Sequence, residues 1–233
     1  MTISLVHFNP ETGLSASLSA TGGVSVGGYV NHSWRGLGGC ATQGLYTNPW
    51  YAEYAKSHLA NELSCDEVIE LLKQQDSEFH KRQCMVMDRL GNSAFIHGDS
   101  NIAYSGSVAF PHIAVAGNML ESETVLTAFI TTFTKLVTVN SEDVRRGEPP
   151  IYKKGYERSL PEMLITSLES ALLAGGDKRG TYSASLRVES MTQAPVDIRV
   201  DWSDDSLISD MRGILRRVRA EPFDSFLSSL PTK

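Results

Sequence analysis

The opening stretch, residues 1–20, reads MTISLVHFNPETGLSASLSA and predicts the first structural unit of the protein. ISLVHF and LSASLSA are typical of strands, and NPETG is typical of the turn between them. Pro10 pre-sets a turn dihedral angle, and Gly13 can adopt a positive φ. The stretch therefore predicts a β-hairpin that begins near residue 3 and holds Thr2 at its open end.

Thr2 follows Met1 directly, and this position permits two interpretations. Thr is small and common at the start of a strand, so its role can be purely structural. Alternatively, removal of Met1 would give Thr2 a free α-amine beside its hydroxyl, and these two groups form a complete nucleophile–base pair. The opening letters alone leave both interpretations open.

The composition is that of a globular protein, because 41% of the 233 residues are hydrophobic and 21% are charged. A chain of this length buries enough apolar surface to fold without a metal or disulfide. The net charge of -6 argues against a nucleic-acid partner, which would require a basic excess. The sequence has neither a signal-peptide pattern nor an apolar membrane span, so we expect a cytoplasmic protein with no membrane partner.

The cysteines and histidines predict neither a disulfide framework nor a metal site. Cys40, Cys65 and Cys84 are far apart and form no CxxC pair, so we expect reduced, buried thiols. The six histidines form no HxxxH or HExxH pattern. The glycine-rich stretch GLGGCA, residues 36–41, is followed by strand residues and not by a helix, so it predicts no dinucleotide cofactor. No cofactor is therefore expected.

The rest of the chain alternates between predicted helices and strands. Asn48 and Pro49 predict a helix start, and Ser64 with Glu67 predicts a capping box at the next helix. Four short strands follow between residues 82 and 118, which indicates an antiparallel sheet. The remaining predicted elements are a helix over 121–137, a loop or insertion over 139–158, a helix capped by Ser159, strands over 181–189 and 194–202, and an amphipathic helix over 203–220.

This order of elements contains no linker and predicts one α+β domain over residues 1–233. Two antiparallel sheets packed face to face, with helices outside, would bury the apolar faces of all these elements. Periodicity alone does not distinguish this arrangement from a single sheet with helices on one side.

Five blocks in the sequence carry a family resemblance: FNPETGLSASLSA, CATQGLYTNPWY, AVAGNML, AGGDKRGTYSASLRV and VDIRVD. In this order they resemble the bacterial family named domain of unknown function 1028, which has an N-terminal-nucleophile hydrolase-like fold. The resemblance covers nearly the whole chain except residues 139–158. It implies a four-layer αββα sandwich of two antiparallel sheets flanked by helices. It also implies a homo-oligomer.

The chain departs from the usual family pattern in three places. Thr181 and Tyr182 stand where Arg-Gln usually follows the GDKRG block. Cys40 precedes the ATQ triplet where a small apolar residue is usual, and the segment 139–158 is longer. These differences leave the implied fold intact and concern contacts with a substrate.

The resemblance implies a mechanism for Thr2. In such a fold the nucleophile is the first residue of a strand at the edge of the two-sheet sandwich, which is where the hairpin places Thr2. Its hydroxyl would attack a small amide or peptide-like substrate while the α-amine, with an ordinary pKa of roughly 7.7–8.0, takes the proton. The alternative is a non-catalytic protein of the same fold that binds a small molecule or serves in assembly.

Further polar residues are candidates for this site. Asn118 is a candidate oxyanion donor, or the N-cap of the following helix. Lys178 is a candidate to lower the pKa of the amine or to bind a substrate carboxylate, with Asp177 orienting it; the alternative is a salt-bridged turn. The candidates for substrate binding are Gln43, Thr47, Asn48, Ser33 and Arg179. The alternative role for all of them is to satisfy the backbone groups of turns and helix ends.

Overall fold

The computed structural model describes residues 2–232, and this part of the chain contains ten β-strands and seven α-helices. The strands are β1 (Thr2–Asn9), β2 (Leu14–Thr21), β3 (Asn31–Trp34), β4 (Gly38–Gly44), β5 (Arg82–Met87), β6 (Ser93–His97), β7 (Gly106–Phe110), β8 (Ile113–Asn118), β9 (Ser183–Glu189) and β10 (Val196–Val200). The helices are α1 (Tyr51–Ala60), α2 (Cys65–Gln75), α3 (Thr124–Val137), α4 (Ser141–Arg145), α5 (Leu160–Leu173), α6 (Leu207–Val218) and α7 (Phe223–Ser229). Met1, whose removal the nucleophile hypothesis requires, lies outside the described residues. Within residues 2–232, every helix is too short or too polar to cross a membrane.

The strands form two antiparallel sheets. The six-stranded sheet has the order β10-β9-β2-β1-β8-β7, and the four-stranded sheet has the order β3-β4-β5-β6. The predicted hairpin is confirmed as β1 and β2, with Thr2 opposite Thr21. On its other side β1 pairs with β8, with Thr2 opposite Asn118. Thr2 therefore begins a strand that is hydrogen-bonded on both sides.

Three apolar clusters define the order of the layers. The inner faces of the sheets meet in a cluster that includes Val6, Phe8 and Met85. Helices α3, α5 and α6 cover the six-stranded sheet through a second cluster, and α1 and α2 cover the four-stranded sheet through a third. The four-layer αββα sandwich expected from the resemblance is confirmed. A single sheet with helices on one side is excluded.

The alternation of side chains along β1 decides which residues face the other sheet. Ile3 and Leu5 belong to the cluster under the helices, whereas Val6 and Phe8 belong to the cluster between the sheets. Successive side chains of a strand point to opposite faces. Thr2 therefore shares the inner face with Val6 and Phe8.

The two predicted helix caps at serine differ in the structure. The Ser64 hydroxyl accepts a hydrogen bond from the backbone N–H of Glu67, and the Glu67 carboxylate accepts one from the Ser64 backbone at 2.8 Å. The capping box at α2 is therefore confirmed. Ser159 precedes α5 but makes no side-chain cap hydrogen bond, so its predicted capping role is wrong.

The helix predicted to start at Asn48 and Pro49 begins later, at Tyr51. The Asn48 Oδ1 atom accepts a hydrogen bond from the backbone N–H of Trp50 at 3.1 Å. Asn side chains commonly stabilise a turn by binding the backbone two residues on. Asn48 and Pro49 therefore lie in a turn ahead of α1 and are not its first helical residues.

The segment 139–158, predicted as a loop or insertion, packs over the buried histidine of β1. Tyr152 and Tyr156 stack with ring centroids 4.7 Å apart. His7 places Nδ1 2.9 Å from the His112 carbonyl oxygen and Nε2 3.1 Å from the Tyr156 hydroxyl. Complete burial lowers the pKa of His7 to about 4, so the ring is neutral at pH 7.

Candidate functional site

Buried polar side chains occupy the space between the sheets at the end where Thr2 lies. They include Thr2, Ser4, Gln43, Gln83 and Asn118. Each lies on the inner face of its strand. Further along the strand, the same face carries apolar residues. Gln83, for example, lies on the same face of β5 as Met85 and Met87 of the inner cluster. On β1, β4, β5 and β8 the inner face is thus polar at the end near Thr2 and apolar beyond it.

Three of these residues form a hydrogen-bonded group that we call the amide cluster: Gln43, Gln83 and Asn118. The Gln83 Oε1 atom accepts hydrogen bonds from Gln43 Nε2 at 2.7 Å and from Asn118 Nδ2 at 2.9 Å. The Gln83 Nε2 atom donates to the backbone oxygen of Gly117 at 2.9 Å. The orientation of the Gln83 amide is therefore fixed, because its oxygen faces two donors and its nitrogen faces a carbonyl.

The amide cluster touches Thr2 directly. Gln43 Nε2 lies 3.3 Å from the Thr2 carbonyl oxygen, and Gln43 Oε1 accepts from the Ser4 hydroxyl at 2.5 Å. The Thr2 hydroxyl lies 3.3 Å from the hydroxyl of Thr21 on the neighbouring strand. Thr2 is 8% exposed. The structure therefore brings together Thr2, Gln43 and Asn118, three of the predicted site residues.

Asn118 is not the N-cap of the following helix. Helix α3 has Glu123 at its N-cap position, well beyond the end of β8. An amide nitrogen carries two hydrogens, and one on Asn118 is bound by Gln83. A side chain in this position is able to offer its second N–H to a ligand next to Thr2.

Asp177 fastens a loop to the end of β2. Its Oδ2 accepts from the Gly22 backbone N–H at 2.6 Å, and its Oδ1 accepts from the Arg179 backbone N–H at 2.7 Å. The Arg179 guanidinium also pairs with Asp177 at 3.3 Å, so the salt-bridged turn is present. Lys178 donates instead to the backbone oxygen of Ala103 at 3.3 Å. In the described part of the chain, Asp177 thus binds backbone N–H groups and the Arg179 guanidinium, and Lys178 binds elsewhere.

A cavity of about 630 Å³ adjoins this loop on the side of α6. Asp177, Gly180 and Thr181 line one wall, and Ser206 and Arg212 line another. This volume is within the range of small-molecule sites. The cavity lies beside the loop that Asp177 ties to β2, and Thr2 is not part of its lining.

Thr47 and Asn48 lie on the opposite side of β4 from Gln43. The Thr47 hydroxyl is 3.3 Å from the hydroxyl of Thr42, and Asn48 Nδ2 donates to the Asp76 carboxylate at 3.1 Å. Neighbouring positions on a strand face opposite sides, so Thr42 faces the helices when Gln43 faces the other sheet. The structure therefore does not bring Thr47 and Asn48 to Thr2.

Ser33 also lies away from Thr2. Its hydroxyl donates to the Ser17 hydroxyl at 2.8 Å and lies 3.1 Å from the Arg187 carbonyl oxygen. Ser17 comes four residues before Thr21 on β2, which is about 13 Å along a strand. Ser33 therefore belongs to a different part of the sandwich.

Gln83 is the residue of the site that the sequence analysis missed. It is completely buried and binds two of the predicted residues. The signal for it is the period of two in RQCMVM, residues 82–87, where Gln83 shares a face with Met85 and Met87. A polar residue on the apolar face of a strand is a candidate for a buried network.

The fold and this site define an α+β protein of the αββα class, in which a threonine that begins a central strand lies beside a buried amide cluster. Comparison with known proteins is consistent with that description. The chain belongs to a family of unknown function, DUF1028, whose model matches residues 2–209. The family resemblance in the sequence blocks is thereby confirmed.

Two solved structures are similar to this chain over most of its length. One is the crystal structure of a DUF1028 protein from Silicibacter pomeroyi, with 27% identity, a TM-score of 0.83, and coverage of 99% of this chain and 91% of that chain. The other is Anbu, an ancestral beta-subunit, from Yersinia bercovieri, with 10% identity, a TM-score of 0.38, and coverage of 99% and 98%. Among curated proteins, no significant match is found.

Proposed function

We propose that this protein is an amidohydrolase of the N-terminal-nucleophile type, with Thr2 as its nucleophile after loss of Met1. The observation that carries the proposal is the position of Thr2. It is the first residue of β1, on the inner face, opposite Asn118 and in contact with Gln43 of the amide cluster. The substrate is a small amide or peptide-like compound.

The reaction needs only groups at this end of the sandwich. The Thr2 hydroxyl oxygen attacks the substrate carbonyl carbon, and its proton passes to the α-amine. The free N–H of Asn118 stabilises the oxyanion. The carbon–nitrogen bond breaks as the ammonium returns that proton to the leaving amine. Water then hydrolyses the ester on Thr2 and restores the hydroxyl.

The loop at residues 177–180 has a supporting role in this proposal. Asp177 holds Gly22 in place beside the strand that pairs with β1. Lys178 and Arg179 carry positive charge on the same loop, between Asp177 and Gly180, which line the cavity of about 630 Å³. They would bind a carboxylate of the substrate.

One observation favours the non-catalytic alternative, a small-molecule binding or assembly protein on this fold. Both donor directions of the Gln43 amide are occupied, one by Gln83 and one by the Thr2 carbonyl oxygen. A saturated amide network of this kind also stabilises a fold without any reaction. Activity of Thr2 therefore has to be measured directly to distinguish the two functions.

The first measurement is the intact mass and N-terminal sequence of protein purified at low expression from its own host. We expect the chain to start at Thr2. A β-lactone acylating probe should then label Thr2, and a screen of small amides should find a substrate. Thr2→Ala should abolish labelling and turnover while leaving the circular dichroism spectrum unchanged, and Thr2→Ser should keep part of the activity.

Thr47→Ala is the matched control, because Thr47 lies on the other side of β4 and should tolerate the change. Two results would contradict the proposal: Met1 retained throughout the population, or full turnover by Thr2→Ala. Retained Met1 would leave ligand binding as the function to pursue, whereas full turnover by Thr2→Ala would show that Thr2 is not the nucleophile.

A further inference from the structure

His97, on the edge strand β6, connects the amide cluster to the flank of the sandwich. It lies opposite Gln83 in the pairing of β5 with β6 and therefore shares the inner face with it. The Gln83 Nε2 atom lies 3.2 Å from His97 Nδ1, and His97 Nε2 lies 2.9 Å from the Ser107 hydroxyl oxygen of β7. His97 is exposed, whereas Gln83 is completely buried. A group that protons of the solvent can reach thus contacts the centre of the cluster.

The orientation of Gln83 fixes which ring nitrogen of His97 carries the hydrogen. The Gln83 amide oxygen accepts from both other members of the amide cluster, so its nitrogen is the atom that faces His97. An amide nitrogen only donates, and a ring nitrogen that faces a donor must offer its lone pair. His97 Nδ1 is therefore unprotonated, and the N–H at Nε2 donates to the Ser107 hydroxyl.

The two hydrogens on Gln83 Nε2 have different surroundings. One is bound by the Gly117 carbonyl oxygen at 2.9 Å. The other faces His97 Nδ1 and the Gly106 carbonyl oxygen, each at 3.2 Å, and the Ser105 hydroxyl at 3.3 Å. The neutral ring is thus one of three acceptors on that side of the amide.

A second proton on the His97 ring does not fit this arrangement. Its N–H at Nδ1 would point at the amide nitrogen of Gln83, so that two donors would face each other at 3.2 Å. Rotating the Gln83 amide by half a turn would offer its oxygen to the ring. The same rotation would turn its nitrogen towards Gln43 Nε2 and Asn118 Nδ2, which are also donors. Neither orientation of Gln83 therefore satisfies the protonated ring.

The surroundings of His97 also disfavour the charged ring. Partial burial between the sheets lowers the pKa of His97 below its ordinary value of 6.5. Strand β7 has no charged residue, and Arg82 of β5 pairs instead with Asp76 at 2.9 Å. The loop after β6 adds Asp99, which is exposed, and Tyr104, which packs against the apolar cluster under the helices. The charged residues of α2 and α3 lie on the outer sides of the sheets.

We propose that His97 is a positioning residue for the proposed reaction: its neutral ring keeps Gln83 and the Asn118 amide in place, and its protonation displaces them. This inference rests on the proposed function, in which Asn118 supplies the oxyanion donor and Gln83 holds it. His97 acts through Gln83 and not on the reacting atoms. Full activity then requires two groups without an added proton, the α-amine of Thr2 and the ring of His97.

The first test follows the link itself and needs no reaction. NMR spectra of the full chain, labelled with ¹³C and ¹⁵N, are recorded between pH 8 and pH 4.5. We expect the side-chain amide signals of Gln83 and Asn118 to shift with the same midpoint as the Cε1–H signal of His97. His97→Asn places an amide oxygen near the position of Nδ1 and takes up no proton, so these shifts should disappear. His58→Asn, the same change on α1, should leave the shifts as they are.

The second test measures how the labelling of Thr2 by the β-lactone probe depends on pH. Below the pKa of the α-amine, roughly 7.7–8.0, the logarithm of the labelling rate should fall by one for each pH unit. Below the midpoint of the His97 titration it should fall by two for each pH unit, because a second group takes up a proton. His97→Asn should keep the rate at pH 7 within about threefold and should fall by one throughout, whereas His58→Asn should keep the steeper fall.

The two tests distinguish this inference from the proposed function. If Thr2 is not labelled at any pH, the proposed function is overturned, and the NMR titration by itself supports or overturns the link between His97 and the cluster. If Thr2 is labelled, the inference is wrong when the unmodified protein never shows the steeper fall or when His97→Asn retains it. It is also wrong when the Asn118 amide signals do not follow the His97 ring, and in these cases the proposed function stands.

Discussion

The buried His7 should make the protein sensitive to acid in a defined pH window. His7 is completely buried and lies edge-on to Phe133, Tyr152 and Tyr156. Burial lowers its pKa from 6.5 to about 4, so the folded state takes up the proton less readily than the unfolded chain. The contribution of His7 to stability is therefore complete above pH 6.5 and is lost as the pH falls towards 4.

The size of this effect follows from the pKa difference. Between pH 6.5 and 4 the unfolded chain binds up to one more proton at His7. The free energy of unfolding then falls by about 1.4 kcal/mol per pH unit, which gives about 3 kcal/mol over the window. His112, beside His7, also has a lowered pKa from burial and adds to the total slope. A comparison with a variant at position 7 isolates the part due to His7.

The assay is urea unfolding followed by circular dichroism at several values between pH 8 and pH 4. His7→Gln is neutral throughout, and it should be less stable than the unmodified protein at pH 8 because its packing is poorer. Its stability should then fall less steeply on acidification, so that the gap between the two proteins narrows by about 3 kcal/mol. Parallel pH profiles for the two proteins would refute the assignment of this acid sensitivity to His7.

Two further predictions concern matched pairs of positions, both measured by urea unfolding. Gly38 has φ +142, and a Cβ there would lie 2.0 Å from a backbone oxygen of β5, so Gly38→Ala should cost at least about 3 kcal/mol. Gly147 has φ +99 with open space around it, so Gly147→Ala should cost only about 1 kcal/mol; equal losses would contradict the close approach. Ser64→Ala should cost about 1 kcal/mol through loss of the capping box. Ser159→Ala should change stability by less than about 0.5 kcal/mol, and a larger loss would show that it caps α5 after all.

The helices that cover the sheets could be predicted because each buries a single face. In α3, Val125, Phe129 and Phe133 recur at helical spacing and all are fully buried. Strand β3 was not predicted, because its four residues, NHSW, place polar side chains towards both neighbouring layers. Helix α7 was also not predicted, since it has seven residues and buries none of them. Short elements without an apolar face leave little signal in a sequence.

The site was predictable only where local sequence decides the geometry. Thr2 is followed directly by the apolar residues of β1, so its place at the end of the hairpin could be predicted from neighbouring residues. Gln83 depends on which strands pair and which faces meet, and these are long-range properties. Thr47 and Asn48 are close to Gln43 in sequence, yet the turn after β4 carries them to the helix side. Proximity along the chain does not decide the face of a sheet.

An affinity tag or a fused protein should affect the proposed site differently at the two ends of the chain, because these ends lie at opposite ends of the sandwich. The Gly36 N–H donates to the Gly13 carbonyl oxygen at 2.8 Å and joins two hairpin turns at the end away from Thr2. Arg35, in one of these turns, donates to the carbonyl oxygen of Thr232 at 2.5 Å. A fusion after Thr232 would therefore emerge far from the amide cluster. A fusion ahead of Thr2 would keep the Thr2 nitrogen in an amide bond, so the position of the tag decides whether the proposed chemistry can be observed at all.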